Sequence, residues 1–312
     1  MQVVRSYADV PAAARGGVLT IGNFDGVHRG HQAVIGEVKR MAQAHGVPAG
    51  AMLFDPHPRA FFQPDKPMFT LTPMPYRLDL LAALGLDFAA VLPFDKAMAE
   101  LSARDFIANV LVGGFDVRHL VVGYDFNFGK GRTGNDALLL SEGKRYGYGL
   151  DVQQPAGDAG AVYSSSRVRE ALRAGDVAGA ARQLGRYWRI EGTVIAGAGR
   201  GAGLGYPTAN IELPPGVQLA HGIYAARVWI AGSAHSAAAY LGKRPTFDNG
   251  EPALEAFLID YDENIYGQRI SVDLVAFIRG DRSFSGAAAL KAQMDHDVAE
   301  AISHLRLDAV RP

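Results

Sequence analysis

Two histidines three residues apart are the first side chains in this chain that could do chemistry. The segment GNFDGVHRGH, residues 22–31, places His28 and His31 where a short apolar strand leads into a helix, so both rings lie on one helix face. Backbone amides and the positive end of the helix dipole favour an anion there. Two imidazole donors would stabilise the negative charge that spreads during phosphoryl transfer. The plainer alternative is a helix cap that follows a tight glycine turn.

A second group of residues, in the other half of the chain, could hold a nucleotide and its metal ion. Gly199 and Gly201 belong to a glycine-rich loop whose amides could approach phosphates, although such a loop is equally typical of a flexible turn. Thr208 and Asn210 follow in an extended segment, so their side chains face the same way. Their oxygens suit Mg²⁺. A hydrogen-bonded pair at a strand end would use the same two residues.

Glu255 is the candidate general base. It is the single acid in the apolar run ALEAFL, residues 253–258, and a carboxyl group there costs folding free energy unless it is paired or used. A base within reach of an acceptor hydroxyl takes its proton during phosphoryl transfer. The alternative is a carboxylate that points to solvent.

Other candidates lie on loops of the first half. His57 stands between two prolines that stiffen its loop, and it could equally be an ordinary surface histidine. Asp125 and Asn127 could hydrogen-bond a nucleotide or another ring-shaped ligand, while Phe128 could stack on it or pack in the core. Residues that could cap a helix and reach a phosphate from it are Ser165, Ser166 and Arg167.

The elements that must position these residues differ between the two halves. In the first half, short apolar runs at 18–21, 51–54, 88–92 and 119–122 alternate with helical patterns, among them 31–45, 106–112, 135–146, 165–174 and 176–184. Strands that alternate with helices predict a parallel sheet. Ligands bind such sheets at the carboxyl ends of the strands, where the histidine segment lies.

The pattern changes after about residue 185. Strand-like runs occupy 188–195, 222–230, 237–241, 254–261 and 270–278, and helical spacing returns only at 287–305. Both faces of the last strand are apolar, which suits a small barrel that another element partly covers. We therefore expect two domains, residues 1–185 and 186–312.

Composition excludes several classes of protein. The 312 residues carry 31 Lys+Arg against 32 Asp+Glu, which argues against a protein that holds nucleic acid mainly through its phosphates. The absence of cysteine removes disulfides, thiolate metal sites and cysteine nucleophiles. No apolar run reaches the roughly 18 residues of a membrane span, and no secretory signal is visible. We expect a soluble cytoplasmic protein without nucleic-acid or membrane partners; the oligomeric state stays open.

These motifs together resemble one family, the prokaryotic bifunctional riboflavin kinases/FAD synthetases. The histidine segment is similar to the HxGH motif of nucleotidyltransferases and, at full length, to this narrower group. Similar segments follow in family order at 54–58, 122–129, 164–169, 207–210, 222–224, 241–247, 265–267 and 279–284. The sequence departs from the family pattern at Ser166, where threonine is usual, at Tyr240, where asparagine is usual, and at Asp281, where glutamate is usual.

The resemblance implies a fold, two reactions and roles for named residues. The fold would be a Rossmann-like α/β nucleotidyltransferase domain followed by a small antiparallel β-barrel with a C-terminal helix. The barrel would phosphorylate riboflavin with ATP to FMN through Glu255, and the first domain would adenylylate FMN with ATP to FAD through His28 and His31. Mg²⁺, or another divalent cation, would be held by Thr208 and Asn210.

The remaining site residues divide between the two ligands. Contacts to nucleotide or phosphate are expected from Gly22, Asn23, Asp25, Gly26, Ser165, Ser166, Arg167, Gly199 and Gly201. Contacts to the flavin are expected from His57, Asp125, Asn127 and Phe128.

Two other functions compete with this interpretation. One is an adenylyltransferase for another acceptor, such as a pantetheine or nicotinamide phosphate, whose barrel no longer phosphorylates. The segment PTAN and Glu255 count against it. The other is a flavin-binding or RNA-binding regulator without catalysis. Intact His28, His31, Thr208 and Glu255, together with the neutral charge, count against that one.

Overall fold

The computed structural model describes residues 1–158, 160–197, 203, 205–243 and 252–309. It divides the chain into two compact units, residues 1–165 and 166–312. The domain boundary expected at residue 185 stays a prediction.

The first unit is built on a parallel sheet of six strands. Its strands, in chain order, are β1 Gln2–Val4, β2 Val18–Ile21, β3 Ala49–Asp55, β4 Phe88–Pro93, β5 His119–Gly123 and β6 Gly149–Gln153. A separate two-stranded ladder follows, formed by β7 Gly157–Asp158 and β8 Ala161–Val162. The sheet order is β1-β4-β3-β2-β5-β6, and every pair is parallel. The expected parallel sheet is therefore confirmed.

Helices cover both faces of this sheet. They are α1 Arg29–His45, α2 Pro58–Phe62, α3 Met74–Ala83, α4 Lys96–Glu100, α5 Ala103–Asp105, a π-helix Phe106–Gly114 and α6 Asp136–Tyr146, with 3₁₀ turns at Ala12–Ala14 and Lys130–Arg132. Alternate strand residues point to opposite faces: Val18 joins the core under α1 and α3, whereas Leu19 joins the core under the π-helix and α6. Two apolar layers thus hold the sheet from either side.

The second unit is a closed barrel of six antiparallel strands. Its elements are α7 Ser165–Arg173, whose first residue still belongs to the first unit, α8 Val177–Leu184, β9 Trp188–Ile195, β10 Thr208–Glu212, β11 Gly222–Ile230, β12 Ser233–Lys243, β13 Pro252–Leu258, β14 Arg269–Gly280 and α9 Ala287–Ala309. The strands close in the order β10-β13-β12-β11-β14-β9. Helix α9 packs on β11, β12 and β14, so the expected barrel with a cover is confirmed.

One polar cluster ties three barrel strands together. Arg189 on β9 binds the buried carboxylate of Asp273 on β14 through two hydrogen bonds of 2.7 and 2.8 Å. The indole of Trp229 on β11 donates to the same carboxylate at 2.7 Å, and the Arg189 guanidinium lies 5.5 Å from the indole ring centre. A buried carboxylate with three donors is satisfied, so it cross-links the ladder without an unpaired charge.

Gly50 tests the packing of the parallel sheet. It lies opposite Phe88 on the neighbouring strand, and a Cβ at Gly50 would come within 2.2–2.5 Å of three ring atoms. The ring has little room to move because it is buried and stacks on Phe115. Gly50→Ala should lower the free energy of unfolding by about 1–3 kcal/mol, measured by urea denaturation.

Gly36 provides the matched control for that substitution. It is exposed on α1, and a Cβ there meets nothing within 4 Å. Gly36→Ala should raise the free energy of unfolding by about 0.5–1 kcal/mol, because alanine is the better helix former. Equal effects of the two substitutions would contradict the packing described here.

Candidate active sites

The loop that carries the two histidines has a tightly constrained backbone. Between β2 and α1, Phe24 and Val27 take positive φ values of 48° and 43°, and Gly26 takes 87°. Left-handed backbone is costly for residues with a Cβ and persists only where the surroundings hold it. Here the side chains of Phe24 and Val27 are almost completely buried in the core. Burial of these two apolar groups therefore holds the turn in shape.

Asp25 is the polar anchor of the same loop. It is 3% exposed, and its carboxylate accepts hydrogen bonds from the backbone amides of Leu71 and Thr72 at 3.0–3.1 Å and from Arg77 at 3.2 Å. Arg77, 4% exposed, also donates to the backbone oxygen of Asn23 at 2.8 Å. The pair joins the loop to the start of α3.

Other loop groups that we expected to contact nucleotide are also engaged with the protein. The amide of Gly22 donates to the backbone oxygen of Met52 at 3.0 Å, and the amide of Gly26 donates to the Thr72 hydroxyl at 2.9 Å. The Ser165 hydroxyl donates to the backbone oxygen of Asp25 at 2.8 Å. These groups shape the loop; their contacts with a nucleotide stay predictions.

His28 caps α1 through one ring nitrogen. Its Nδ1 accepts the backbone N–H of His31 at 3.3 Å, so the proton of the neutral ring belongs on Nε2. The two imidazoles stack with their centres 3.6 Å apart and their planes 21° apart. The helix cap, one of the two alternatives that the sequence left open, is therefore present, and the ligand-binding role of His28 stays a prediction.

His31 is held neutral by its surroundings. Burial of the ring, and then the proximity of His28 and Arg77, keep the pKa of His31 well below its ordinary value near 6.5. The edge of the His31 ring contacts Phe24, with ring centres 5.1 Å apart. A neutral imidazole presents one N–H donor and one acceptor, which suits hydrogen bonding to phosphate oxygens.

His57 repeats the arrangement of His28 on another strand end. It follows β3, and its Nδ1 accepts the amide of Arg59 at 3.0 Å as the cap of α2, which again assigns the proton to Nε2. Beside it stands an aromatic group that the sequence reasoning missed: Phe61, Phe62 and Phe94 have ring centres 5.2–5.8 Å apart. Phe62 is 64% exposed, an unusual position for a large apolar ring. The adjacent phenylalanines in sequence were the available signal.

The loop after β5 separates polar from aromatic candidates. Asp125 and Asn127 are exposed, and the Asn127 amide donates to the backbone oxygen of Asp125 at 2.8 Å. Phe128 is buried in the core against Phe106, with ring centres 5.6 Å apart. The core alternative thus fits the position of Phe128, and its flavin contact stays a prediction. Ser166 and Arg167 fall in the second unit, on α7.

In the second unit, strand register brings together two predicted site residues and one position that departs from the family pattern. Glu255 on β13 lies directly opposite Asn210 on β10, and on its other side it lies opposite Tyr240 on β12. Directly opposed residues share a face of the sheet, with Cβ atoms about 4.5–5.5 Å apart. Asn210 is buried and Glu255 is half-buried, so Glu255 does not simply extend into solvent.

Thr208 and Asn210 share that face on β10. The Asn210 amide nitrogen donates to the backbone oxygen of Thr208 at 3.1 Å, which is the strand-end hydrogen bond considered above. A Cβ on Gly197 would come within 2.1 Å of the Asn210 amide, so a larger residue there would displace that amide. A hydroxyl and an amide oxygen are hard ligands that suit Mg²⁺ alongside phosphates and water. In the part of the chain that the structure describes, no cluster of three His, Asp or Glu side chains forms a metal site.

Tyr206 links this segment to α9. Its hydroxyl bonds Asp295, whose carboxylate raises the pKa of the phenol, and its ring meets Phe257 edge-on at 4.9 Å. Lys291, one turn before Asp295 on α9, lies 5.5 Å from the ring centre. The glycines predicted to contact phosphate, Gly199 and Gly201, lie outside the described residues, as do residues 244–251.

Comparison with known proteins assigns both units to described families. Residues 10–167 match the family described as FAD synthetase, and residues 184–305 match riboflavin kinase. Relatives called bifunctional riboflavin kinase/FMN adenylyltransferase span nearly the whole chain. The Escherichia coli K12 protein is 37% identical over 95% of this chain and 96% of its own, and the Bacillus subtilis protein is 34% identical over 92% of each.

A solved structure has the same fold. It is described as a macrolide-efflux protein from Streptococcus pneumoniae, and it matches with a TM-score of 0.84 and 27% identity over 95% of this chain and 96% of that one. In the described part of the present chain, no helix is both long enough and apolar enough to cross a membrane.

Removal of the Asp25 carboxylate should destabilise the first unit strongly. Asp25→Ala leaves the buried Arg77 charge without this partner, which should lower the free energy of unfolding by about 3–5 kcal/mol. Asp65→Ala, which removes an exposed carboxylate between α2 and α3, should change it by less than about 0.5 kcal/mol. Calorimetric unfolding of both variants measures the difference, and equal stability would refute the anchoring role.

The depressed pKa of His31 makes stability depend on pH in a defined direction. Below about pH 6.5 the unfolded chain protonates His31 while the folded ring stays neutral, so the unfolded state binds more protons and stability falls as the pH is lowered. The variant His31→Gln has no titrating ring at this position, so it does not lose stability in this way. The stability of the wild-type protein minus that of the variant should therefore decrease between pH 7.5 and 5.5, measured by urea denaturation. Parallel pH curves would show that the ring titrates normally.

Proposed function

The chain belongs to the family of bifunctional riboflavin kinase/FMN adenylyltransferases, and on that premise we propose which residues carry its two reactions. The enzyme phosphorylates riboflavin with ATP to give FMN, and it adenylylates FMN with a second ATP to give FAD and pyrophosphate. The alternative of another adenylyl acceptor does not account for a riboflavin kinase match over residues 184–305.

The adenylyl transfer is proposed for the end of β2. A phosphate oxygen of FMN attacks the α-phosphorus of ATP, the bond to the β-phosphate oxygen breaks, and pyrophosphate leaves. His28 and His31 would donate hydrogen bonds to the phosphate oxygens on which negative charge develops. The observation that supports this role is the cap of α1, which leaves Nε2 of His28 as the proton-bearing nitrogen. The loop amides, Ser165, Ser166 and Arg167 keep their predicted nucleotide roles as part of this proposal.

The flavin of FMN is proposed to lie against the aromatic group beside His57. Phe62 presents an exposed ring next to Phe61 and Phe94, and a flat flavin ring would cover that apolar face. His57 would donate from Nε2. Asp125 and Asn127 keep their predicted polar contacts to the flavin.

The phosphorylation of riboflavin is proposed for the shared face of β10 and β13. Glu255 would accept the proton of the 5′-hydroxyl as its oxygen attacks the γ-phosphorus of ATP and ADP leaves. Thr208 and Asn210 would hold the nucleotide through a divalent cation, which neutralises phosphate charge when it is bound. The single observation that carries this proposal is the register that places Glu255 directly opposite Asn210. The cytoplasmic location and the absence of nucleic-acid or membrane partners stay predictions.

A product assay tests both assignments at once. Purified protein is given riboflavin, ATP and Mg²⁺, and the flavins are separated by chromatography over time; the wild-type protein should make FMN first and FAD later. Glu255→Gln should lower FMN formation by about 10²–10⁴-fold, the usual contribution of a general base, and should leave conversion of added FMN to FAD intact. The double variant His28→Ala/His31→Ala should accumulate FMN without FAD.

Two control variants change the same residue types at positions outside the proposed sites. Glu212→Gln changes an exposed carboxylate on the same strand face as Asn210, and His45→Ala removes an exposed histidine from the far end of α1. Both should keep wild-type product ratios. Normal FMN formation by Glu255→Gln would remove Glu255 from the mechanism.

A further inference from the structure

Thr208, the first residue of β10, is held by the barrel on one side. The ladder to β13 includes Thr208, which lies opposite Phe257, whereas in the described part of the chain the ladder to β9 covers only Asn210 and Ile211. A residue at the end of a strand opens more easily than one inside it, because fewer backbone hydrogen bonds hold it. The place of the Thr208 hydroxyl therefore depends on the residues that lead into the strand.

Tyr206 fixes the residues that lead into β10. Its side chain is 9% exposed, and its ring meets the ring of Phe257 edge-on with the centres 4.9 Å apart, so it packs on the same residue that lies opposite Thr208. The Tyr206 hydroxyl donates a hydrogen bond to the Asp295 carboxylate on α9. Pro207 has a fixed φ, which leaves little freedom between Tyr206 and Thr208.

Helix α9 is a firm support for that hydrogen bond. Its buried Asp297 accepts two hydrogen bonds of 2.8 and 2.6 Å from Arg279 near the end of β14, and a bidentate pair of this kind allows little movement. Asp295 lies two residues earlier on the same helix. The ammonium group of Lys291 lies 3.4 Å from the Asp295 carboxylate and 5.5 Å from the centre of the Tyr206 ring. The acceptor thus has a positive neighbour on its own helix.

We propose that Tyr206 and Asp295 are positioning residues of the kinase reaction. The hydrogen bond between them holds the start of β10 against α9, so the Thr208 hydroxyl stays on the face that β10 shares with Glu255. The inference rests on the proposed role of Thr208 in holding the nucleotide. It gives α9 a part in the reaction in addition to covering the barrel.

The proposal predicts an effect on one segment and on one substrate. Without the hydrogen bond, residues 208–212 should open more often, while the ladder between β11 and β12 stays as it is. Binding of ATP at the kinase site should weaken, because the Thr208 hydroxyl no longer has a fixed place. Riboflavin binding should change little, because Glu255 keeps a ladder on both sides. A general loss of stability would instead affect every strand of the barrel and neither substrate in particular.

The first test compares the wild-type protein with Tyr206→Phe, which keeps the ring and removes the donor. The KM for ATP in FMN formation should rise about 3- to 10-fold, the range of one hydrogen bond, and the KM for riboflavin should stay the same. In the protein without ligands, hydrogen–deuterium exchange of the amides at 208–212 should become several-fold faster, and exchange at 222–230 should not change. The exchange measurement needs no turnover, so it reports on the segment itself.

The acceptor of the hydrogen bond provides a second test. Asp295→Ala removes it, and because this carboxylate is exposed, the barrel core stays intact. Its effects on the KM for ATP and on exchange should equal those of Tyr206→Phe. The double variant Tyr206→Phe/Asp295→Ala should show no further effect, since both substitutions break one interaction. Asp295→Asn keeps an acceptor oxygen for the phenol and should restore most of the wild-type behaviour.

The other end of α9 supplies a matched control. The Tyr187 hydroxyl, just before β9, bonds Asp308 near the end of α9, so Tyr187→Phe removes the same kind of hydrogen bond to the same helix. Strand β10 pairs with the opposite end of β9, at Val194 and Ile195. Tyr187→Phe should therefore leave the KM for ATP and the exchange at 208–212 unchanged. Conversion of added FMN to FAD should be equal in all variants, because that reaction is proposed for the first unit.

An unchanged KM for ATP in Tyr206→Phe would overturn the proposal, and so would unchanged exchange at 208–212, additive effects of the two substitutions or an equal effect of Tyr187→Phe. Failure of the underlying function is recognised separately. The wild-type protein would then make no FMN, or Thr208→Val would keep the wild-type KM for ATP while exchange still responded to Tyr206→Phe.

Discussion

The buried ion pair between Asp25 and Arg77 is the constraint on which the first site depends. The loop between β2 and α1 bends through left-handed backbone at residues with side chains, a shape that has no stability of its own. Asp25 collects two backbone amides and a guanidinium from the start of α3, and the loop is thereby attached to a rigid helix. The histidines gain their mutual geometry from this attachment, because α1 begins where the loop ends.

The second site obtains the same precision from a different source. Its residues come from neighbouring strands, so backbone ladders rather than a side-chain anchor fix their spacing. Register is strongly specified here because a shift by one residue would move Leu254 and Ala256 out of the core. The apolar alternation of β13 therefore holds Glu255 opposite Asn210. In both sites, contacts within the protein position the groups that are proposed for chemistry.

Much of this arrangement could be predicted from the sequence, since the signals were local. The strands at 188–195 and 222–230 have the expected bounds, and the histidine segment lies between a strand and a helix as expected. The helix expected at 106–112 is a π-helix that runs through Gly114, and the edge strand β1 has only three residues, too few for a periodic pattern.

Long-range contacts account for what the sequence could not reveal. In the sequence, Asp25 stands close to two histidines and has the pattern of a residue that binds a ligand. Only the fold shows that its partners are Leu71 and Arg77, 46 and 52 residues away. The hydrogen bond between Tyr206 and Asp295 has the same origin, because the two residues are 89 positions apart in the sequence.

The cluster of Arg189, Asp273 and Trp229 has an optical consequence. Both tryptophans of the chain, Trp188 and Trp229, lie in the barrel unit, on β9 and β11. Tryptophan fluorescence therefore reports on the barrel unit alone. It is sensitive to the carboxylate that is hydrogen-bonded to Trp229, and the parallel sheet does not contribute to it. Signals from tyrosine side chains and from the backbone come from both units. Comparing them with tryptophan fluorescence therefore separates the unfolding of the barrel unit from that of the first unit, without any added label.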